Sequence, residues 1–312
     1  MSAPVAALPS LRIKFGPGEA DVFNAGLPVL AGQGIEELFG GAARAGRTGP
    51  VALFERDGWR IGVVSSPCES GLEEATRRIY DAALQAARGW NLARIWNYVP
   101  SINDLGPGGL ENYMTFCRAR SLAFEQAFGA EFKGLLPSAS AVGTPSGVLT
   151  VVFAASAERP IHFENPLQVP AYEYPGEYGP RAPSFARGTV VPGRGGATAF
   201  ISGTAAIRGH ATVAPDSTPD QLEYSIENLS GISGACGLGP WLDEDGRSAR
   251  HFKVYLRNPD DLPQVSGALR KRLDSGRDSV SYLQADLCRS ALKVEIEASL
   301  FGVTALAGAK VA

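Results

Sequence analysis

The segment DLCRSALKVEIEAS, Asp286–Ser299, governs how the chain is read. Leu292, Val294 and Ile296 alternate with Lys293, Glu295 and Glu297, the two-residue period of a β-strand. Glu295 and Glu297 therefore share a face. Such a strand is either a solvated edge, the common fate of paired glutamates, or the acid side of a covered cleft.

An earlier stretch helps to separate these readings. VLTVVFAAS, Val148–Ser156, lies over LKVEIEAS, Leu292–Ser299, and ARIWNYVPSINDL, Ala93–Leu105, lies over ARHFKVYLRNPDDL, Ala249–Leu262. This overlay puts Glu295 over Val152 and Glu297 over Ala154, so the first copy is apolar where the second is acidic. A solvated edge tolerates charge in either copy. A duplicated scaffold with one active copy has this asymmetry.

The intervening elements repeat as well. In the first half, Val51–Glu55 and Trp59–Ser65 flank Arg56-Asp57-Gly58, a hairpin signal. Helical spacing of Leu72, Ala75, Ile79 and Ala83 predicts a helix over 71–88. Strands are expected at 93–99 and 147–155, with a helix over 113–128 between them. In the second half, 197–202 and 204–213 read as strands and 219–238 as a helix entered at Thr218 or Asp220. A strand at 251–256 and a helix over 262–273 follow. The fold class expected is α+β: two fused units, each a mixed β-sheet with helices packed on one face. The domains are expected at 1–157 and 197–312.

Between them, 158–196 is rich in Pro, Gly and Tyr and contains ENPLQVPAYEYPGEYGPRAPSFAR, Glu164–Arg187. Its prolines forbid a continuous helix or central strand. Its aromatics argue for an ordered linker and site wall rather than a disordered tether.

Composition narrows the function classes. A chain of 312 residues with 45% apolar and 20% charged residues is an ordinary globular protein with room for two cores. A net charge of -3 gives no bias toward nucleic acid or anionic membranes. Neither a signal peptide nor a membrane span is read from the sequence. Cys68, Cys117, Cys236 and Cys288 are far apart, as are His162, His210 and His251. No metal site is expected, and a reducing cytoplasm is the expected compartment. Gly193-Arg194-Gly195-Gly196 lacks the Lys-Ser/Thr pair of a phosphate loop and reads as a turn.

Each half resembles the YjgF/RidA unit, through VEIEA in its last strand and KVYL in its middle strand. The whole chain is similar to the chorismatases, which join two such units and cleave chorismate to pyruvate and a cyclic acid. The likeness is carried in order by RIWNYVPSIN (94–103), GLENYMTFCRAR (109–120), LPSASAVG (136–143), Glu164–Arg187, FISGTAAIRGH (200–210) and the opening segment. Two positions depart from the pattern: Ala119 stands where Gly is usual before Arg120, and Ala211 where Glu is usual after His210.

That resemblance implies a cofactor-free reaction on a small molecule, with Glu295 as general acid and Glu297 in support. Protonating an enol ether needs an acid that keeps its proton near neutral pH. Apolar cover and a second carboxylate both push a glutamate that way. A dicarboxylate substrate needs fixed cations, for which Arg120, Arg181 and Arg187 are candidates, and Tyr113 and Tyr178 can donate hydrogen bonds. Each also has a plain role open to it, as a helix-face charge, a solvated linker charge or a packing ring. Tyr172 reads as packing, and His251 as structural. Gly203 and Cys288 accompany the branch of the family that forms 3-hydroxybenzoate. The alternatives are a hydrolytic chorismatase giving a dihydroxycyclohexadiene carboxylate, an imine deaminase like the single-unit relatives, and a non-catalytic sensor. Two fused units suggest a monomer.

Overall fold

The computed structural model describes residues 11–16, 23–39, 43–243, 246–273 and 276–304. The reading of the chain start as lacking a leader falls largely on residues 1–10, outside them. Four short strands come first: β1 (Leu11–Lys14), β2 (Phe23–Asn24), β3 (Val29–Gly32) and β4 (Ile35–Leu38). The first unit contains β5 (Ala43–Thr48), β6 (Val51–Arg56), β7 (Trp59–Pro67), α1 (Leu72–Ala86), β8 (Asn91–Pro100), α2 (Asn112–Phe128), β9 (Ser138–Thr144) and β10 (Val148–Ser156). The second opens with β11 (Ile161–Phe163), β12 (Gly188–Val191), β13 (Ala197–Ala205) and a small hairpin of β14 (Ile207–Arg208) and β15 (Ala211–Thr212). It continues with α3 (Thr218–Ala235), β16 (Ala249–Leu256), α4 (Leu262–Leu269), β17 (Asp278–Gln284) and β18 (Val294–Val303).

The two large sheets share one topology. Their orders are β5-β6-β7-β10-β8-β9 and β11-β12-β13-β18-β16-β17, and β3 extends the second beyond β17. In each, the last strand inserts antiparallel beside the third, and a helical crossover joins two parallel strands. The α+β duplication therefore holds. The sheets do not follow the expected boundaries, however. β3 belongs to the second sheet, and β11 and β12 come from the linker region.

Helices cover only one face of each sheet. Ile79, Ala83, Phe116 and Phe124 pack on Ile95, Val151 and Phe153. Leu222, Ile226 and Leu229 pack on Phe252, Val254, Ile296 and Ala298. The remaining faces meet each other, joining Trp96, Tyr98, Val152 and Ala154 to Phe200, Ala205 and Tyr255, and the segment carrying Ile13, Phe15 and Leu38 packs against the same core. Central strands are thus buried on both sides, which removes the apolar–polar alternation of a solvated strand. This explains the continuous apolar run of β10. It also changes the meaning of β18, whose charged face turns to the opposite sheet: Glu295 and Glu297 are 3% and 1% exposed.

Several details differ from expectation. β9 (SASAVGT) and β17 (DSVSYLQ) escape period reading because small and hydroxyl residues dominate them. The span read as a strand at 204–213 breaks after Ala205 into the small hairpin. α3 is capped by Ser217, whose side chain accepts from the Asp220 N–H. α4 stops at Leu269, and the Arg272 carbonyl beyond it accepts the Trp241 indole N–H at 3.1 Å. Register also refines the internal overlay. Tyr255 faces Glu295, whereas Tyr98 faces Thr150. Matching the two tyrosines puts Glu295 over Thr150 and Glu297 over Val152, a slip of two residues. A two-residue slip keeps the face, and the first copy carries no acid at any of these positions.

Candidate active site

Glu295 and Glu297 lie two residues apart on the inner face of β18, yet their surroundings are opposite. Glu297 is met from both sheets. Arg94 Nη2 donates to its Oε2 at 2.8 Å and Trp96 Nε1 to its Oε1 at 2.9 Å, both from β8. Lys253 on β16, its register partner, places Nζ 2.5 Å from Oε1. Burial alone raises this carboxyl, but Lys253 and then Arg94 outweigh it and hold Glu297 down to about 2. Lys253 also pairs with Glu36 of β4 at 2.6 Å, and Glu36 accepts from Ser299 Oγ at 2.8 Å. Charges buried this deeply persist only when paired.

No hydrogen bond or ion pair reaches the Glu295 carboxyl among the described residues. Burial first, then the Glu297 anion, push it up to about 8, while Arg94 and Arg187 pull weakly the other way. A glutamate so placed is a neutral acid at pH 7.

Glu295 forms part of the wall of a small cavity of about 60 Å³ between the two units. Tyr113 and Met114 enter from α2, and Tyr174, Tyr178, Phe185 and Arg187 from the linker. Gly203, Ala205 and Ile207 come from β13 and β14, and Cys288 and Arg289 from the approach to β18. Arg187 is 4% exposed, and its Nη2 donates to the Tyr174 hydroxyl at 2.6 Å and the Val169 carbonyl at 3.3 Å. Its Nε has no hydrogen-bond partner among the described residues. Arg289 lies over the Tyr178 ring, 4.0 Å from its centroid, and donates to the His210 carbonyl at 2.8 Å and Thr212 Oγ1 at 3.1 Å. Burial, with Glu295 adding to it, drives the Cys288 thiol up to about 12, so it is a neutral wall and not a thiolate. Burial likewise keeps the Tyr113 phenol protonated.

The structure thus brings together Glu295, Tyr113, Tyr178, Arg187, Gly203 and Cys288. It separates two predicted residues from them. Arg120 is buried in the first unit, its guanidinium 5.5 Å from the Tyr80 ring centroid and 5.7 Å from that of Phe124. Arg181 turns outward to Glu125 at 2.8 Å. Neither lines the cavity. Tyr172 packs against the first core, and His251 Nε2 meets Ser281 Oγ at 2.9 Å. Sequence reasoning missed Arg289, Arg94, Lys253 and Glu36. A lysine inside the apolar strand HFKVYL was a usable signal, because an uncovered charge in a central strand needs a partner.

Residues 38–155 match the family model described as chorismatase FkbO/Hyg5-like, N-terminal. A 3-hydroxybenzoate synthase of Streptomyces hygroscopicus is 37% identical over 243 residues, 72% of this chain and 68% of that protein. A chorismatase of the same organism is 35% identical over 260 residues, 81% of this chain and 75% of that protein. The crystal structure of a chorismatase superposes with a TM-score of 0.82 at 31% identity, covering 96% of this chain and 95% of that one. With this identity to curated chorismatases, shared topology across nearly the whole length and a buried acid at a cavity wall, the chain belongs to the chorismatase family.

Proposed function

We propose that this enzyme cleaves chorismate to pyruvate and 3-hydroxybenzoate, with Glu295 as general acid. The observation that carries this reading is a buried, neutral carboxyl at a cavity wall that also holds two guanidinium groups, Arg187 and Arg289. Glu295 gives its proton to the methylene carbon of the enolpyruvyl ether, which leaves an oxocarbenium at the ether carbon. The vicinal ring hydroxyl closes on that cation. Pyruvate leaves with the closing oxygen, whose bond to the ring breaks, while the ether oxygen parts from the pyruvate carbon and stays as the phenol with the proton that the closing hydroxyl gave up. The ring proton lost on aromatisation to 3-hydroxybenzoate balances the one supplied by Glu295. Arg187 and Arg289 suit the two substrate carboxylates as planar donors. Tyr113 and Tyr178 keep their protons and can donate.

The choice of product is a choice between the ring hydroxyl and water. The neutral Cys288, the apolar Ala205 and Ile207 and the absence of a side chain at Gly203 leave little in this wall to hold a water, which favours the intramolecular route. The hydrolytic branch would leave a dihydroxycyclohexadiene carboxylate instead. We place the reaction in the cytoplasm and the enzyme as a monomer. In support, the two units cover each other's inner faces within one chain, and among the described residues no helix is long and apolar enough to cross a membrane.

The test is incubation with chorismate, assay of pyruvate and chromatography of the cyclic product. Turnover with 3-hydroxybenzoate is expected, and Glu295→Gln should lose about 10²- to 10⁴-fold in kcat, the usual worth of a general acid. No pyruvate at high enzyme concentration removes the reading.

A further inference from the structure

Two carboxyls on one strand face, about 7 Å apart along it, are both buried between the sheets. Both cannot ionise there cheaply. The side that keeps the proton is decided by where the donors go, and all of them go to Glu297. Arg94 and Trp96 arrive from the first unit at 2.8 and 2.9 Å, and Lys253 from the second at 2.5 Å. Lys253 is fully buried, and its other partner is Glu36, 2.6 Å away on the N-terminal strand β4. Glu36, Lys253, Glu297 and Arg94 together carry no net charge.

Resting on the reading of Glu295 as the acid, we propose that Lys253, bridging Glu36 and Glu297, is a positioning residue that keeps Glu297 as the anion and so confines the one proton of the glutamate pair to Glu295. Removing the ammonium would take away the only ion pair of Glu36 among the described residues and leave Glu297 paired with Arg94 alone. The least costly response is to protonate one of them. Once Glu297 can hold the proton, the pair behaves as a coupled dyad, and the reactive form, protonated on Glu295, is no longer the dominant one. Other groups facing the pair are Tyr255 and His251 of β16, Tyr98 of β8, Arg187, Cys288, Arg289 and Tyr113. All of them remain when Lys253 is replaced.

The test combines kinetics with infrared spectroscopy. Lys253→Met should lower kcat for pyruvate release by about tenfold or more while KM for chorismate stays within about threefold. Adding Glu36→Gln, which restores charge neutrality, should return most of the lost kcat. A kcat within about threefold of the parent, a loss that resides in KM, or no recovery in the double variant overturns the proposal. The infrared arm needs no turnover. At neutral pH and without substrate, the protonated-carboxyl band of the parent should diminish in Glu295→Gln. A band untouched by that change and removed by Glu297→Gln puts the proton on the other residue and overturns the proposal, even where Lys253→Met fails to fold. A parent that shows the Glu295 band but releases no pyruvate would defeat the catalytic reading while leaving the proton assignment in place.

Discussion

Gly203 and the carboxyl of Glu295 compete for the same space: a Cβ at position 203 would overlap Oε1 of Glu295 and press on the Ser140 side chain. The acid occupies its place at the wall because β13 carries no side chain there. Gly203→Ala forces the flexible carboxyl aside and leaves the backbone alone. Pyruvate release should fall about tenfold or more, the loss expected when a catalytic group is displaced by an ångström. The product should shift toward the hydrolytic acid. Product chromatography with a thermal melt checks both effects, and an unchanged rate would show that the carboxyl has another resting place.

The two glutamates should leave opposite marks on pH dependence. With Glu295 as the proposed general acid, its protonated form is the active one, so kcat should decline as pH rises through about 8. Its raised folded value also means that the native state holds a proton which the unfolded chain releases above its ordinary range, near 4.5. Stability from this group is complete below that range and is lost as pH rises toward 8. For Glu297, held down to about 2, stability is present above the ordinary range and is lost as pH falls toward 2. Through Glu295, urea midpoints should carry a downward component between about pH 4.5 and 8 in the parent, and that component should vanish in Glu295→Gln. Glu297→Gln should flatten the acid side.

Arginine substitutions separate the cavity from the surface. Arg289→Ala removes a fork that faces the cavity beside Tyr178 and should raise KM for chorismate by about tenfold or more. Arg181→Ala breaks an exposed pair with Glu125 and should leave kcat and KM within about twofold, since such pairs contribute little. Steady-state kinetics on the two variants gives the answer directly. Equal effects would contradict the placement of Arg289.

A buried charge also sits on the helix side of the second sheet. Arg250 makes paired bonds to Asp278 at 2.7 and 2.5 Å, with both side chains 1% exposed. Its Nη1 also donates to the carbonyls of Trp241 and Leu242. Arg250→Met should cost about 3 kcal/mol by leaving Asp278 undercompensated and should not change kcat, because it lies on the helix-facing side of β16, beside Phe252 and away from the cavity. Denaturant titration alongside a pyruvate assay tests that split.

The duplication was legible because central strands keep strong apolar patterns that survive divergence. Glu295 and Glu297 stood out as acids in a strand whose first copy has none. What distinguishes them was not legible: the donors that select Glu297 come from positions 94, 96 and 253, on strands that only folding brings alongside. Arg120 and Arg181 were chosen by residue type near matched motifs, and type does not report direction. One points into a ring cluster of the first core, the other toward Glu125. Arg289 was not singled out, because its value depends on Tyr178, which lies 111 positions earlier. The described residues between 11 and 38 form strands too short to show a period, three of them in a sheet of their own and β3 at the edge of the second sheet.

Those short strands have a consequence for synthesis. β3 completes the edge of the second sheet, and Glu36 supplies the counter-ion to Lys253 at its centre. Both are made long before the strands they join. The emerging chain must hold this segment available until β16 and β17 have left the ribosome, so the second unit closes only after nearly the whole protein has been translated. Expressed without the segment before residue 43, the second unit would carry an open edge strand and a lysine short of one carboxylate.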